Sequence, residues 1–169
     1  MRRFLIGLGI LVSTHAWAGE PVAFEFRGLT VESTSAGSAD ILQKCEAYFN
    51  SQGCKLVDAH VAGTLSFPQA MFANSTGKME ELRGTVYGDS YDTIRAGFIQ
   101  KWGEPTSYVE ESVQNGYGAT KKIPVSVWKF ADGELTLIGT DFRGDGEWHF
   151  RTFARQAYLD GLKKPKADF

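Results

Sequence analysis

A helix in the middle of the chain is the element that most constrains the fold, because it is clearly bounded on both sides. Its apolar residues recur at spacings of three and four positions and so share one helix face: Tyr91, Ile94, Phe98 and Trp102. Asp89 or Ser90 is predicted as the N-cap, since either side chain can accept a hydrogen bond from a free amide of the first turn. Gly103 is predicted to end the helix, and Pro105 to prevent its continuation.

Short strand-like runs lie on both sides of this helix. The predicted strands cover residues 24–29, 55–62, 65–73, 79–87, 107–113, 123–130, 135–140 and 147–153. Asp132 and Gly133 predict a tight hairpin between two of them. Two further helices are predicted over residues 41–49, where apolar residues recur at helical spacing, and over residues 154–162. The predicted fold class is α+β, with helices packed on one face of an antiparallel β-meander sheet.

A weak internal repeat indicates how the chain could be divided. Residues 72–85 and 130–140 each contain Phe-Ala-Asn or Phe-Ala-Asp, then a Gly, then Leu-x-Gly-Thr. Either a duplication or a chance likeness between two hairpins accounts for this pattern. The duplication gives two tandem αβ units, residues 19–88 and residues 89–169, joined as one compact body.

The N-terminus has the three parts of a cleavable export signal. Arg2 and Arg3 precede an apolar run over residues 4–12, and Ala16 and Ala18 form a small-residue cleavage site. The apolar run is too short to cross a hydrocarbon core of about 30 Å as a helix. We therefore expect cleavage after Ala18 and a soluble periplasmic protein. No cysteine begins the mature chain, and no later run is apolar enough to span a membrane, so neither a lipid anchor nor a membrane span is predicted.

The charge balance argues against nucleic acid as a partner. The chain has 18 Lys and Arg against 20 Asp and Glu, for a formal net charge of −2. Loss of Arg2 and Arg3 with the signal makes the mature chain more negative still. Nucleic-acid binding depends on clustered Lys and Arg, and the basic residues at the C-terminus are interpreted as a solvated tail.

Cys45 and Cys54 are predicted to form a structural disulfide. An even number of cysteines at short separation in an exported chain favours a bridge. Their spacing differs from the C-x-x-C of redox-active pairs, although free or catalytic thiols remain the alternative. On the chain-entropy model, a bridge of this length stabilises the fold by about 3 kcal/mol.

No constellation of side chains predicts a catalytic, cofactor or metal site. His60 and His149 remain after cleavage and are too far apart in sequence to form a local pair of zinc ligands. Gly88-Asp89-Ser90 resembles the block of one hydrolase family, in which Ser90 would act with Asp145 or His149. Helix capping explains the same residues. His149 alternates with core positions on its strand and is interpreted as part of a solvated charged face.

The connection over residues 114–122 is the best candidate for a partner-binding surface. Its sequence, QNGYGATKK, is too polar and too rich in glycine to be buried. An exposed tyrosine on an adaptable loop, here Tyr117, is typical of an interface anchor, although an idle hairpin tip has the same pattern. Tyr117, Tyr108, Lys121 and Lys122 form the predicted partner-binding set.

The order of these features resembles two families of small exported proteins. An early helix leads into Cys45 and Cys54, a meander follows, and the second helix ends in Lys101-Trp102-Gly103-Glu104-Pro105 before another meander. This layout is similar to the β-lactamase inhibitory proteins, and one such unit is similar to the SmpA-like outer-membrane assembly lipoproteins. The chain lacks the later disulfide of the former and the lipidated cysteine of the latter. The resemblance implies a binding module built on a sheet face.

The predicted function is non-enzymatic binding of another envelope protein or peptide, of the inhibitor or assembly-factor type. The partner would contact one sheet face and the loop over residues 114–122. Two alternatives remain open at this point. One is a small serine hydrolase that uses Ser90, and the other is a carrier of a small apolar ligand held between a helix and the sheet.

Overall fold

The structure, a computed structural model, describes residues 21–163 and is built mainly from antiparallel β-sheet. The strands of this part of the chain are β1 (Leu42–Ala47), β2 (Ser51–Leu56), β3 (His60–Val61), β4 (Thr64–Leu65), β5 (Gln69–Ala73), β6 (Met79–Tyr87), β7 (Ser107–Gln114), β8 (Thr120–Lys129), β9 (Gly133–Ile138) and β10 (Asp145–Thr152). The helices are α1 (Ser90–Trp102) and α2 (Phe153–Lys163).

The main sheet consists of two four-stranded meanders joined at its centre. Its strand order is β1-β2-β5-β6-β10-β9-β8-β7, while β3 and β4 form a separate pair. The meanders meet where β6 pairs with β10, with Leu82 opposite Phe150 and Arg83 opposite His149. Residues 19–88 and 89–169, the two predicted halves, thus contribute four strands each to one continuous sheet.

The predicted α+β fold class, with helices covering one sheet face in two tandem units, is wrong, because the protein is mainly β. Helix α1 does pack on the sheet, through the buried side chains of Tyr91, Ile94 and Phe98. Helix α2, by contrast, contributes no buried residue. Strand β1 stands where an early helix was predicted. The described chain therefore has one large sheet and one well-packed helix.

The helix predicted over residues 41–49 is wrong because this segment forms β1. The apolar residues of this segment do have helical spacing. One of them, Tyr48, is 43% exposed, however, so these residues do not form a buried helix face. Cys45 lies directly opposite Cys54 on β2. The predicted disulfide is confirmed and joins this cross-strand pair, with Cα atoms 4.0 Å apart. Pairing with β2 satisfies the backbone, whereas so short a helix is marginal without a buried face.

The strand predicted over residues 24–29 is also wrong, because this segment turns back on itself. Phe26 and Leu29 exchange both backbone hydrogen bonds at 2.9 Å. Between them Arg27 and Gly28 have φ values of 54° and 82°, a left-handed conformation that breaks an extended run. The segment instead inserts Phe24 into the core, where its ring stacks on Phe150 at 3.7 Å.

Other predicted elements lie close to their expected positions. Strand β6 has the predicted bounds, and α1 ends as predicted where Gly103, at φ 81°, donates its amide to the Ile99 carbonyl. The runs predicted at residues 55–62 and 65–73 are each divided into two strands. Asp58 accepts a hydrogen bond from the His60 amide and so forms a turn after β2, while Phe67, at φ 45°, separates β4 from β5.

Aromatic side chains fill the core between α1 and the sheet. Trp148 and Phe150 of β10 are completely buried. Phe98 of α1 packs edge to face on Trp128 and on Trp148, with ring centroids 5.7 Å apart in each pair. These contacts hold α1 across the second meander, which consists of β7–β10, and so determine where the first turns of the helix lie.

The disulfide is compatible with an exported protein. The predicted signal, with cleavage after Ala18, lies outside the described residues, as does the basic tail beyond Lys163. Between residues 21 and 163, neither helix combines the length and the apolar composition needed to cross a membrane.

Candidate functional site

An open cleft of about 700 Å³ lies between the first turns of α1 and the hairpin formed by β7 and β8. Its charged and aromatic lining residues are Asp89, Tyr91, Asp92, Arg95, Tyr108, Glu110, Lys121 and Lys122. Three members of the predicted partner-binding set, Tyr108, Lys121 and Lys122, are therefore brought together here. In the sequence, only the polar, glycine-rich connection between β7 and β8 indicated a binding surface in this region.

The inner wall of the cleft is a small hydrogen-bonded group under α1. The Tyr91 hydroxyl and the Ser126 Oγ lie 2.9 Å apart, and Arg95 donates its Nε–H to the same Oγ at 3.2 Å. Ser126 is completely buried. Burial raises the pKa of Tyr91 above its usual 10.0, so its hydroxyl keeps its proton at neutral pH and can act as a hydrogen-bond donor.

The cationic side chains of the cleft are held at its rim. The Arg95 guanidinium lies over the Tyr108 ring, 5.6 Å from its centroid, and 3.6 Å from a carboxylate oxygen of Glu104. Lys122 forms an exposed ion pair with Glu110 at 3.2 Å, and Lys121 donates to the Asp141 carbonyl at 2.9 Å. These contacts order the rim, although exposed pairs of this kind contribute little to stability.

The predicted side-chain cap of α1 is wrong. Asp89 is the N-cap residue, but its side chain makes no capping hydrogen bond. Ser90 instead accepts a hydrogen bond on its Oγ from the amide of Tyr87 at 3.0 Å, and this contact shapes the turn before the helix. Asp89 and Asp92 therefore place two carboxylates at the cleft mouth, where the helix dipole favours negative charge.

Tyr117 lies outside the cleft, at the tip of the β7–β8 hairpin, where it is 99% exposed. Its loop is ordered by Asn115, whose Oδ1 accepts hydrogen bonds from the amides of Tyr117 and Ala119, both at 3.0 Å. Sequence reasoning missed Arg95 and Asp92, because only the packing of α1 brings them opposite the hairpin.

Strand β7 is a free edge beside the cleft. Within the described residues it pairs on one side only, with β8, through eight consecutive pairs from Ser107–Val127 to Gln114–Thr120. It contains no proline, and nearly all its residues are exposed. The other edge, β1, has an irregular register between Leu42 and Cys45 and carries a lysine. Such irregularities protect edges from further pairing, and β7, although it carries Glu110 and Glu111, has none, so β7 is the more regular of the two edges.

Of the two residues that the hydrolase alternative pairs with Ser90, Asp145 and His149, the structure keeps His149 away from Ser90. Ser90 follows the end of β6, where Tyr87 pairs with Asp145, whereas His149 pairs with Arg83. Four residues along a strand correspond to about 13 Å. His149 also faces away from α1, because its neighbour Trp148 packs against the helix.

His149 is 8% exposed, so the interpretation of its strand face as solvated is wrong at this position. Its Nδ1 faces the Glu147 carboxylate at 3.5 Å, too far for a good hydrogen bond. The His149 side chain nevertheless lowers the pKa of Glu147 below its usual value. Among residues 21–163, no group of three or more His, Cys, Asp or Glu side chains is arranged to hold a metal ion.

The resemblance to β-lactamase inhibitory proteins and SmpA-like lipoproteins rests on the layout of the sequence and stays a prediction. The early helix on which that layout partly depended is strand β1. Comparison of the chain with protein-family models, with curated proteins and with solved structures finds no match.

Proposed function

We propose that this protein is a periplasmic, non-enzymatic binding protein that captures an extended segment of another envelope protein along strand β7. The observation that carries this proposal is the free, regular and proline-free edge of β7 directly beside a polar cleft. An extended peptide can add to such an edge through main-chain hydrogen bonds, while pockets beside the edge select its side chains.

The two faces of β7 suggest what such a segment contains. On the side of α1, Tyr108 and Glu110 border the cleft. On the opposite face, Val109 lies in a cross-strand row with Val125 and Ile138. Side chains of an added strand alternate between the two faces, so polar residues would enter the cleft and apolar residues would extend the Val109 row.

Photocross-linking in cells tests this proposal. A photoreactive amino acid replaces Tyr108, and the matched control replaces Tyr48, a similarly exposed tyrosine on the hairpin at the opposite edge. We expect one cross-linked envelope protein from position 108 and none from position 48. Equal yields from both positions would overturn the proposal.

A second variant distinguishes strand addition from contact with the cleft alone. Val109 is 49% exposed, so Val109→Lys should leave the fold intact while placing a charge in the path of an added strand. We expect it to lower the cross-linking yield from position 108 by about tenfold. An unchanged yield would show that the edge is not used.

Tyr117 provides a test of the hairpin tip as part of the same surface. Its ring is almost completely exposed, so Tyr117→Ala removes a candidate anchor without affecting the core. We expect weaker capture of the cross-linked protein and an unchanged unfolding midpoint. If capture is unchanged, the tip takes no part in binding and the interface is confined to β7 and the cleft.

A further inference from the structure

A second concave surface lies at the other end of the sheet from the cleft. It is a groove of about 560 Å³ between α2 and the turns that join β1 to β2 and β5 to β6. Strand β6 connects the two regions. Its first residue, Met79, lines the groove, and Gly88, which directly follows its last residue, lines the cleft. A strand of this length spans about 30 Å, so the groove is separate from the proposed peptide site.

Apolar side chains form much of the groove: Val31, Phe49, Ala73, Met79, Ala154 and Tyr158. Phe49 is 97% exposed at the tip of the β1–β2 turn, a position at which an uncovered phenyl ring is unfavourable in water. Tyr158 projects from α2 and is held in place by the Asn50 side chain, which donates to its hydroxyl at 2.6 Å. The groove therefore has one aromatic wall, Tyr158, that is held by a hydrogen bond, and one exposed phenyl ring, Phe49, at its edge.

Among residues 21–163, each charged residue that lines the groove is paired with another charged residue. Lys78 is paired with Glu32, and Arg155 contacts Glu80 at 3.2 Å. Arg155 also contacts Glu81, which is almost fully buried, at 3.2 Å. The Arg155 pairs with Glu80 and Glu81 are largely buried, so a charged ligand at this wall would have to break them or remain without a counter-ion. The groove is thus complementary to an uncharged ligand.

We infer that this groove binds a neutral, apolar small molecule, such as one containing an uncharged aromatic ring system or acyl chain, between Phe49 and Tyr158. Its volume lies within the range of about 300–1,000 Å³ typical of small-molecule sites. The site is independent of the peptide surface at β7, so either can be present without the other.

Two fluorescent probes with the same aromatic body test the charge preference. N-phenylnaphthylamine is neutral, and anilinonaphthalene sulfonate carries one added anionic group. In a titration of the full exported protein, we expect the neutral probe to bind with at least about tenfold higher affinity, because the described cations of the groove, Lys78 and Arg155, are already paired with carboxylates. No enhancement of fluorescence with the neutral probe, or equal affinity for both probes, would overturn the inference.

Substitution of Phe49 locates the probe. Phe49→Ala should weaken binding of N-phenylnaphthylamine by about tenfold, because the ring buries against the ligand and against little else. Phe142→Ala, which removes another exposed phenyl ring outside the groove, is the matched control and should leave the affinity unchanged. Equal affinities of Phe49→Ala and wild type would contradict the assignment.

Sedimentation of the unliganded protein addresses the other occupant of an apolar groove, a second copy of the chain. We expect a monomer at every concentration used in the titrations. A dimer that dissociates on Phe49→Ala substitution would show that the groove is a subunit interface and would overturn the ligand site.

Discussion

Among single residues, the indole of Trp148 shows how closely the centre of the sheet is packed. It lies against Gly84 of the neighbouring strand, where an added Cβ would stand 2.6 Å from the indole Nε1. The lack of a side chain at Gly84 lets the indole N–H donate to the Ser66 Oγ at 2.7 Å. Ser66 in turn donates its hydroxyl proton to the Thr85 carbonyl at 2.7 Å. The buried Ser66 hydroxyl thereby pairs with both the Trp148 N–H and the Thr85 carbonyl.

Replacement of Ser66 tests this arrangement. Ser66→Ala leaves the Trp148 N–H without an acceptor in a site closed to water, so we expect the free energy of unfolding to fall by about 1–3 kcal/mol. Urea denaturation followed by tryptophan fluorescence measures the change. Ser112→Ala, an exposed serine on β7, is the control. Equal stability of the two variants would show that the hydroxyl is dispensable.

Residues of the candidate cleft were predictable only where the sequence itself marks exposure. Lys121 and Lys122 follow a polar, glycine-rich turn, and this composition alone indicates a surface hairpin. Arg95 carries no such mark, because it lies on the polar side of a helix among other polar residues. Its role depends on Ser126, a contact 31 positions away in the chain, which no local pattern encodes.

Among the elements, α2 is held to the sheet by ion pairs instead of by a buried apolar face. Arg155 contacts Glu81 and Glu80, both at 3.2 Å, and Arg151 of β10 contacts the other oxygen of Glu81 at 3.1 Å. Two guanidinium groups thus neutralise the almost fully buried Glu81. Glu80 adds a second carboxylate to the same site, and the helix position depends on this charge balance.

Glu80 is predicted to make stability depend on pH in a direction opposite to that of most carboxylates. Burial raises its pKa above the usual 4.5, and the charge of Glu81 adds to this effect while Arg155 opposes it. Since the folded state holds the proton more tightly than the unfolded state, this residue's contribution to stability is lost as the pH rises from 4.5 through its folded pKa. Glu80→Gln should therefore gain stability relative to wild type over that interval.

Urea denaturation at a series of pH values checks this expectation. The difference in unfolding free energy between Glu80→Gln and wild type should grow in favour of the variant as the pH rises, then level off. Glu111→Gln, an exposed glutamate on β7, controls for the change of net charge. A difference that does not vary with pH, or that favours wild type as the pH rises, would show that burial of Glu80 is not the cause.

The elements predicted correctly are those whose local pattern and tertiary environment agree. Helix α1 buries the same residues that recur at helical spacing, Tyr91, Ile94 and Phe98. Residues 41–49 show a comparable spacing, yet they pair with β2 because the disulfide and the sheet edge determine their conformation. Apolar periodicity in a segment this short does not distinguish a helix from a strand with exposed apolar residues.

At the level of the whole molecule, the joining of the two meanders could not be predicted from the sequence. The pairing of β6 with β10 places Leu82 beside Phe150, 68 positions further along the chain. Period-two patterns predict strands and hairpins, but not which distant strands become neighbours. The N-terminal segment adds a contact of even longer range, since the Phe24 amide donates to Asp132 at 2.9 Å.

Phe24 is predicted to stabilise the shared core by joining the N-terminal segment to α1 and to the second meander (β7–β10). Its ring is fully buried. The centroid of this ring lies 3.7 Å from that of Phe150 on β10, 5.2 Å from that of Phe130 and 5.4 Å from that of Trp102 on α1. Phe24→Ala leaves a cavity among these rings, so we expect the free energy of unfolding to fall by about 3–5 kcal/mol.

Phe49→Ala is the matched control for this substitution, because the Phe49 ring is 97% exposed, and it should change the free energy of unfolding by no more than about 0.5 kcal/mol.

Far-ultraviolet circular dichroism follows the backbone during denaturation, and tryptophan fluorescence follows the core. In wild type and in Phe24→Ala we expect the two signals to change together, since one core joins residues from both halves. Two separate transitions in wild type would show instead that the halves fold independently and that Phe24 stabilises only the second of them.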